Sequence, residues 1–260
     1  MTGPDNGTVV MLAGHGPSTG VLYNALRAQL PVAKVIVEDR VGRRSFLRAR
    51  VKRLGLWRVA GQLVFQVAAL PLLRRQASAR QRELVTDLGL DETPIPEQAV
   101  AHVRSANSPE TIELLGALRP AVVVVHGTRI LRREVLEACP GAVFLNIHAG
   151  ITPRYRGVHG GYWALVSKDR EGCGVTVHRV DTGIDTGPIV AQTTIHPTAA
   201  DNFVTYPLLQ LGAGVPLLID AARAALEGRL VTRPSAGPSR LWSHPTVVEY
   251  LAHRIRRGVA

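Results

Sequence analysis

Three polar side chains in the middle of the sequence are of types that can catalyse acyl transfer. Asn146 and His148 are two residues apart, within and just after the apolar run 142–147. On a β-strand they would project from the same face near its carboxyl end. Asp185 lies in a Gly-rich turn after the alternating run 175–178. An amide and a protonated imidazole can stabilise an oxyanion, while a carboxylate keeps the imidazole charged or accepts a proton. The pattern therefore indicates acyl transfer to an amine that attacks directly.

The residues around these side chains predict the elements that would hold them in place. Apolar runs alternate with stretches of helical spacing, and Ser108 followed by Pro109 is typical of a helix start. The predicted strands are 8–13, 33–37, 99–103, 121–125, 142–147 and 175–178, and the predicted helices are 21–30, 109–118, 162–166 and 202–228. This alternation predicts an α/β protein with a doubly wound, mostly parallel sheet that binds ligands at the carboxyl ends of its strands.

The order of short motifs around the three side chains resembles a known family. Asn146-Ile147-His148 is followed by a Pro-x-Tyr-x-Gly loop at 153–157 and an Ile-Asp-x-Gly-Pro turn at 184–188. This order resembles the 10-formyltetrahydrofolate-dependent formyltransferases, which include glycinamide ribonucleotide formyltransferase, methionyl-tRNA formyltransferase and sugar N-formyltransferases. The resemblance covers about residues 122–195. It implies a Rossmann-like sheet in which Asn146 and His148 support an oxyanion. Asp185 would favour the charged form of His148 and help to remove the amine proton.

The resemblance also implies where the co-substrate 10-formyltetrahydrofolate would bind. In the family, a loop after a central strand and the Ile-Asp-x-Gly-Pro turn line the pterin pocket, largely through backbone groups. The matching residues are Gly127, Thr128, Arg129, Ile130, Leu131, Gly183 and Ile184. Ile130 and Leu131 could also be core residues at the start of a helix, and the two interpretations are compatible.

Two further groups of residues are candidates for contacts with the acceptor substrate. They are Gly14, His15, Gly16 and Ser18 in the first group and Tyr155, Arg156 and His159 in the second. The first group forms a turn before a helix, where backbone N–H groups suit an anion. A plain connection is as good an interpretation there, since Pro17 removes one donor. The second group lies in the loop after the strand of His148, where selectivity is commonly built. His178 is expected to pack in the interior or to face water.

Positive charge is concentrated in one segment, residues 40–82. It contains eleven Arg, one Lys and no Asp or Glu, whereas the formal net charge of all 260 residues is +11. We expect two helices here, with Trp57 and Phe65 in the core and the Arg side chains in solvent. The apolar stretch 54–73 is interrupted too often to supply the roughly 20 residues of a membrane span. Alternatively, the segment binds an anionic membrane surface, a nucleotide-linked substrate or RNA.

The organisation and location of the chain follow from its length, its composition and its first residues. We expect one catalytic domain at 1–200, including the basic helical insert at 40–92, and a helical extension at 201–260 that packs on it. The sequence start lacks the segments of a secretory signal, and Cys139 and Cys173 have no second pair of ligands nearby. We therefore expect a cytoplasmic protein without a metal site, with peripheral attachment to a membrane as an alternative.

These observations leave several functions open. The first is N-formylation of a primary amine on a small metabolite, most simply an amino sugar in nucleotide-linked form or a natural-product intermediate. A methionyl-tRNA formyltransferase-like enzyme would explain the positive charge. However, the roughly sixty-five residues after the last sheet strand match no RNA-binding domain, so a nucleic-acid partner is not favoured. A non-catalytic protein that binds a membrane or nucleic acid through residues 40–82 is the third alternative. The oligomeric state is not determined by the sequence.

Overall fold

A computed structural model of the chain describes residues 7–40 and 42–259. Residues 1–6, which our expectation about a secretory signal involves, and Val41 of the basic insert lie outside the described residues. The strands are β1 (Val9–Ala13), β2 (Val32–Glu38), β3 (Val100–Val103), β4 (Val122–His126), β5 (Val143–His148), β6 (Arg156–Gly157), β7 (Gly174–Arg179), β8 (Ile189–Thr194) and β9 (Leu241–Trp242). The helices are α1 (Pro17–Arg27), α2 (Arg43–Leu54), α3 (Leu56–Val64), α4 (Leu70–Gln76), α5 (Ser78–Asp87), α6 (Pro109–Leu118), α7 (Arg133–Leu136), α8 (Gly160–Val166), α9 (Tyr206–Leu226) and α10 (Val247–Arg257).

Seven strands form one central sheet in the order β3-β2-β1-β4-β5-β7-β8. All neighbouring pairs are parallel except β5 with β7 and β7 with β8. The mostly parallel, doubly wound sheet that the sequence predicts is therefore confirmed. Its first five strands place their carboxyl ends at one edge, and this is the edge where Asn146 and His148 lie.

The sheet is buried on both faces, which explains why its strands are continuous apolar runs. Along β1, Val9 and Met11 pack in a core beneath α1 and α9, whereas Val10 and Leu12 pack in a second core beneath α6 and α7. Helix α9 fills the first core although Pro216 lies inside it. Burial of the wide apolar side of α9 stabilises the helix by more than the loss of the one backbone hydrogen bond that the proline removes.

The basic insert differs from the two helices that we predict. Helix α2 is followed by one continuous 21-residue helix, Leu56–Gln76, made of α3, a π-helical turn at Phe65–Ala69 and α4; helix α5 comes next. By length and mean hydropathy, 1.4, this helix could cross a membrane, so our inference that the stretch is too interrupted was wrong. Helix α9 passes the same test, with a mean hydropathy of 1.3.

The long helix packs on the body along one narrow stripe. Val59, Phe65 and Leu73 are buried, and the Phe65 ring lies 5.0 Å from the rings of both Phe203 and Tyr250. The core position predicted for Phe65 is confirmed. The same prediction for Trp57 was wrong, because that side chain is 88% exposed. A second face of the helix is therefore apolar and in solvent.

The tail after α9 returns to the body of the protein. Strand β9 pairs in parallel with β6, and the Trp242 ring lies 4.7 Å from the ring of Trp163. Helix α10 begins with a capping box, in which the Thr246 hydroxyl accepts a hydrogen bond from the Glu249 N–H and the Glu249 carboxylate accepts one from the Thr246 N–H. The tail is thus fixed beside the loop that follows β5.

Candidate active site

Asn146, His148 and Asp185 meet at the carboxyl end of β5. His148 Nδ1 lies 3.4 Å from Asp185 Oδ2, and Asn146 Nδ2 lies 3.5 Å from Asp185 Oδ1. Asn146 and His148 project from the same side of β5, as their spacing of two residues predicts. Asp185 comes from the turn between β7 and β8, where its φ of +51° is of a kind that Asp and Asn adopt more readily than most residues. The structure therefore brings the three predicted side chains together.

Only one nitrogen of His148 is available for chemistry. His148 Nε2 lies 2.6 Å from the backbone carbonyl oxygen of Tyr155. A carbonyl can only accept, so Nε2 carries a hydrogen and donates it. The exchangeable position is therefore Nδ1, which faces Asp185. The Tyr155 carbonyl sets the tautomer of the imidazole and also its direction.

The protonation states of this pair follow from burial and from neighbouring charge. Burial lowers the pKa of His148, and the Asp185 carboxylate opposes this effect without overcoming it. Burial works against the ionised form of Asp185, but the two imidazoles and the N–H of Gly157, which donates to Oδ2 at 2.8 Å, hold its pKa below the usual value. The resting site thus holds a neutral imidazole beside a carboxylate. Our prediction that Asp185 keeps His148 charged does not fit this balance.

His178 is a fourth member of the cluster that the sequence did not reveal. Its Nε2 lies 3.0 Å from Asn146 Nδ2 and 3.6 Å from Asp185 Oδ1, and its Nδ1 donates to the Arg179 carbonyl at 2.8 Å. With Nδ1 protonated, Nε2 accepts from the Asn146 amide and so fixes how that amide is turned. Our expectation that His178 packs in the interior or faces water was incomplete. It is buried, but it faces the site because β5 and β7 pair it directly with Asn146.

The loop after β5 reaches the His148 ring because Gly150 lacks a side chain. A Cβ at Gly150 would overlap the Tyr155 carbonyl and lie 2.8 Å from His148 Nε2. The buried Thr176 hydroxyl donates to the Gly150 carbonyl at 2.7 Å and accepts from the Thr152 N–H at 3.1 Å. The loop is therefore tied to β7 in the position that holds His148.

The three catalytic candidates open onto a cavity of about 1130 Å³, which is called the main cavity below. All residues that the family resemblance assigns to the folate line it: Gly127, Thr128, Arg129, Ile130, Leu131, Gly183 and Ile184. The Arg129 side chain is already engaged, because it pairs with the buried Glu38 at 3.1 Å and donates to the Asp39 carbonyl. This loop therefore presents backbone and apolar groups to the cavity, and the Arg129 guanidinium attaches the loop to the end of β2.

The candidates in the loop after β5 lie behind the cavity wall. Tyr155 is buried, and its hydroxyl donates to Asp169 at 3.0 Å. Arg156 donates to the Ile184 carbonyl at 3.0 Å, which supports the turn that carries Asp185. His159 packs on Phe203 and bonds to His244 at 2.9 Å. None of the three is among the cavity-lining residues. All three side chains are hydrogen-bonded to other groups of the protein. Their surroundings therefore do not support the direct substrate contacts that we predicted for them.

The turn before α1 does not face the main cavity. Gly14, His15 and Gly16 line a second, smaller cavity of about 430 Å³, together with Glu92 and Glu97. Ser18 bonds instead to His126 Nε2, at 2.9 Å. The two carboxylates disfavour an anion in the smaller cavity, so the substrate role predicted for this turn stays a prediction without support from its surroundings.

Cations from the insert form part of the wall of the main cavity. Arg50, Arg53 and Arg58 line it. Arg50 donates to Gln62 at 3.1 Å, and Arg58 pairs with Glu249 at 3.1 Å. Burial lowers the pKa of Arg50, and Arg53 adds to this effect by repulsion. Nearby, burial and the charge of Arg50 lower the pKa of His244 to about 4. This wall therefore concentrates positive charge.

Residues 241–244 of the tail also line this cavity, and the Gln62 amide of the insert donates to the His244 carbonyl at 2.6 Å. The sequence did not reveal this role of the tail. Trp242 and His244 are residue types that often line sites, but a Trp and a His in a terminal segment do not by themselves indicate one. Within the described ranges 7–40 and 42–259, no group of three or more His, Cys, Asp or Glu side chains is placed to hold a metal ion.

Comparison with known proteins assigns the central part of the chain to a family. Residues 42–207 match the family model described as formyl transferase. Curated relatives include the methionyl-tRNA formyltransferase of Chloroflexus aggregans, 36% identical over 158 residues, covering 57% of this chain and 50% of the relative. That of Kosmotoga olearia is 31% identical over 149 residues, covering 55% and 47%. The chain thus spans about half the length of these curated relatives.

Solved structures share the fold at low sequence identity. A sugar N-formyltransferase from a Shewanella species has a TM-score of 0.56 and 14% identity, covering 90% of this chain and 76% of that one. Glycinamide ribonucleotide transformylase 1 from Symbiobacterium toebii has a TM-score of 0.56 and 21% identity, covering 88% and 94%. At these identities the likeness concerns the fold alone, and it agrees with the sheet described above.

Proposed function

The chain belongs to the formyltransferase family, and from this premise we propose that it transfers a formyl group from 10-formyltetrahydrofolate to a primary amine. One observation carries the proposal: Asn146, His148 and Asp185 converge, together with His178, at the mouth of a cavity large enough for a folate and an acceptor. An amide, an imidazole and a carboxylate are the groups that such a transfer needs. The chain covers about half the length of its curated relatives, so the nature of the acceptor is a separate proposal.

The residues of the cavity fit a reduced folate. Ile130, Leu131 and Ile184 supply apolar surface for a flat ring, and the loop 127–131 and the turn at 183–184 supply backbone donors and acceptors. Pockets for such ligands are mainly apolar with a few polar groups that fix orientation. In our proposal, the Gly127 loop and the Gly183 turn hold the pterin, which places the formyl end near Asn146.

The transfer requires one proton to move and one charge to be stabilised. The formyl carbon forms a bond with the acceptor amine, its bond to the folate nitrogen breaks, and that nitrogen gains the proton that the amine loses. His148 Nδ1, neutral at rest, can accept and return this proton, and Asp185 stabilises the imidazolium formed in between. One hydrogen of the Asn146 amide is held by His178 Nε2, and the other, in long contact with Asp185 Oδ1 at 3.5 Å between the heavy atoms, is donated to the oxygen on which negative charge develops.

The cationic wall favours an acceptor that carries a phosphate or another anion. Arg50, Arg53 and Arg58 line the cavity, and Arg58 also pairs with Glu249 at 3.1 Å. Arg53 lies close enough to Arg50 to disfavour its charge, so an anionic ligand would relieve this repulsion. We propose a small amine linked to phosphate, such as a nucleotide-linked or phosphorylated amino sugar.

Aminoacyl-tRNA is the second candidate acceptor. Its support is the name of the curated relatives, which are methionyl-tRNA formyltransferases, together with the cations of residues 40–82. Against it, the exposed side of the long helix Leu56–Gln76 carries six large apolar side chains, whereas a surface that follows a nucleic acid backbone is expected to be uniformly basic. The two candidates differ in the acceptor and share the same catalytic cluster.

The test is to incubate the protein with 10-formyltetrahydrofolate and a panel of amines. The panel should contain phosphorylated and nucleotide-linked amino sugars, their neutral counterparts and methionyl-tRNA, with tetrahydrofolate release followed by absorbance and products by mass. We expect His148→Ala to lower turnover by about 10²-fold or more, whereas His196→Ala, an exposed histidine, should leave it unchanged. Equal turnover in the His148→Ala variant, or tetrahydrofolate release without a formylated product, would contradict the proposal.

A further inference from the structure

The solvent side of the long helix Leu56–Gln76 forms an exposed apolar face. Six of the thirteen large apolar side chains that are exposed in the described part of the chain lie on this one helix, so the clustering is local. The apolar face consists of Leu56, Trp57, Leu63, Val64, Val67 and Leu72. A contiguous exposed apolar surface of this kind marks a site of contact with another molecule or with a membrane.

Packing of the helix in the fold does not use this face. The buried stripe, Val59, Phe65 and Leu73, has spacings of six and eight residues, about two turns each, and lies on the opposite side. The apolar face therefore adds nothing to the hydrophobic core. It is also separate from the active site, because none of its six residues is among the cavity-lining residues, although its neighbours Leu54 and Arg58 are.

Helix α10 extends the apolar face. Arg58 pairs with Glu249 at 3.1 Å, and a Cβ at Gly61 would lie 3.0 Å from the Thr246 side chain, so the two helices are in direct contact. Three outward residues of α10, Val248, Leu251 and Ile255, are exposed and follow helical spacing. Two neighbouring helices thus carry apolar side chains into solvent, which enlarges the surface beyond a single amphipathic helix.

Cations border this surface at its ends. Lys52 and Arg53 precede the apolar face, Arg74 and Arg75 follow it, and all four are exposed. Lys52 and Arg53 lie in the last turn of α2, before the break at Gly55, whereas Arg74 and Arg75 lie in the last turn of the long helix. Helix α10 adds three more Arg in its last turn. Residues 40–82 contain no Asp or Glu, so the border is of one sign.

We propose that the apolar face docks this protein on a bilayer surface that contains anionic phospholipids. Apolar side chains flanked by Arg and Lys are the combination that binds at the boundary between headgroups and acyl chains, with the cations on the phosphates. The helix lies on the membrane and does not cross it. Crossing would remove Phe65, which is fully buried, from between Phe203 and Tyr250.

Charge argues for lipid over the other occupants of such a face. A second copy of this chain in a two-fold dimer would bring the same cationic border against itself, and like charges at close range oppose association. An anionic bilayer is complementary to both the border and the apolar side chains. A soluble acidic protein would match the charge, and the vesicle experiment separates it from lipid.

Vesicle binding tests the inference, with Trp57 as its reporter. Trp57 is 88% exposed, whereas Trp163 is 4% exposed. Vesicles of phosphatidylcholine with about one-third phosphatidylglycerol should sediment the protein and shift its tryptophan emission to the blue. Vesicles of phosphatidylcholine alone should bind at least tenfold less, and added salt should weaken binding. Trp57→Phe should retain binding and lose the spectral shift.

A matched pair of variants makes the test specific. W57Q/V67Q replaces the two most exposed residues of the apolar face and should lower the partition coefficient on anionic vesicles by about tenfold or more. V231Q changes an 80% exposed valine away from this face and should bind like the parent. Circular dichroism should show unchanged folding in both. Absence of binding to anionic vesicles at low salt would overturn the inference. Equal binding by W57Q/V67Q, or a dimer that only W57Q/V67Q disrupts, would also overturn it.

Discussion

At the scale of single residues, the proposed transfer depends on which nitrogen of His148 can exchange a proton. The Tyr155 carbonyl occupies Nε2 at 2.6 Å, and Asp185 lies 3.4 Å from Nδ1. Burial lowers the pKa of His148, so the imidazole is neutral near neutral pH and becomes positive only as it takes a proton from the acceptor. Asp185 is then the counter-ion of a transient imidazolium in a site where few water molecules can screen it.

Replacing Asp185 by Asn should therefore slow turnover by about 10²–10⁴-fold. Asn tolerates the positive φ of this position, so the fold should persist. The carboxylate opposes the lowering of the His148 pKa by burial, and its loss should lower that pKa further. In acid, we expect kcat/KM of the parent to fall only at a pH below the ordinary pKa of an imidazole, and kcat/KM of the variant to fall at a still lower pH. Turnover close to that of the parent would contradict the role of Asp185.

The sequence allowed part of this cluster to be predicted. Asn146 and His148 share a face because β-strands repeat every two residues, and that holds for any strand. His178 could not be placed, because its position depends on the register of β7 against β5, which pairs it with Asn146. Register is set by packing across the whole sheet and by the lengths of its turns. A histidine in an alternating run is therefore ambiguous until its partner strand is known.

At the scale of elements, the insert is attached to the body through a small number of side chains. Phe65 enters the aromatic cluster, and Arg80 of α5 donates to Asp201 at 2.9 Å. Asp201 also accepts from the Thr198 N–H at 2.8 Å and from its hydroxyl at 3.0 Å. Only 1% of its side chain is exposed. Asp201 therefore joins the insert to the segment that leads into α9.

We predict that Asp201→Asn lowers the free energy of unfolding by about 1.5–3 kcal/mol at neutral pH, the contribution of hydrogen bonds to a charged group. Although burial opposes it, the bonds from Arg80 and Thr198 hold the pKa of Asp201 below its usual value. This stabilisation is complete above the carboxyl pKa of the unfolded chain and is lost as pH falls through the folded pKa. The difference between parent and variant in urea unfolding should thus shrink in acid.

A surface carboxylate provides the control for this experiment. Asp220 pairs with Arg223 on α9, but 72% of its side chain is exposed. Asp220→Asn should change the free energy of unfolding by less than about 0.5 kcal/mol. If both variants lose the same amount, or if the loss in Asp201→Asn persists in acid, the anchoring role of the buried carboxylate is wrong.

The helices of the insert show where sequence periodicity stops being informative. Leu56–Gln76 is apolar on nearly all sides, so its pattern did not separate the stripe that packs from the face in solvent. Phe65 and Trp57 are both aromatic and both at helical positions, yet one is buried and the other exposed. The difference comes from the tertiary partners Phe203 and Tyr250, which are more than 130 residues away in the sequence.

At the scale of the whole molecule, the main cavity is built from three distant parts of the chain. The central sheet supplies the catalytic cluster, the insert supplies Arg50, Arg53 and Arg58, and the tail supplies residues 241–244. The sheet and the catalytic edge could be predicted because βα units obey general packing rules. The cationic wall could not be predicted, since it forms only when the insert and the tail both pack beside the catalytic edge of the sheet.

This assembly predicts that Arg53 controls acceptor affinity without taking part in the transfer itself. Arg53→Ser should raise KM for a phosphate-bearing amine by about 10–100-fold, the range expected on losing a hydrogen bond between charged groups. KM for the folate and kcat should change less than about twofold, because Arg53 is neither one of the proposed folate residues nor a member of the cluster at Asn146, His148 and Asp185. The neutral counterpart of the same amine should be used equally by parent and variant. Arg75→Ser, exposed and outside the cavity lining, is the matched control. An Arg53→Ser effect that is as large for the neutral amine, or that appears in kcat alone, would show that this wall does not bind the anion.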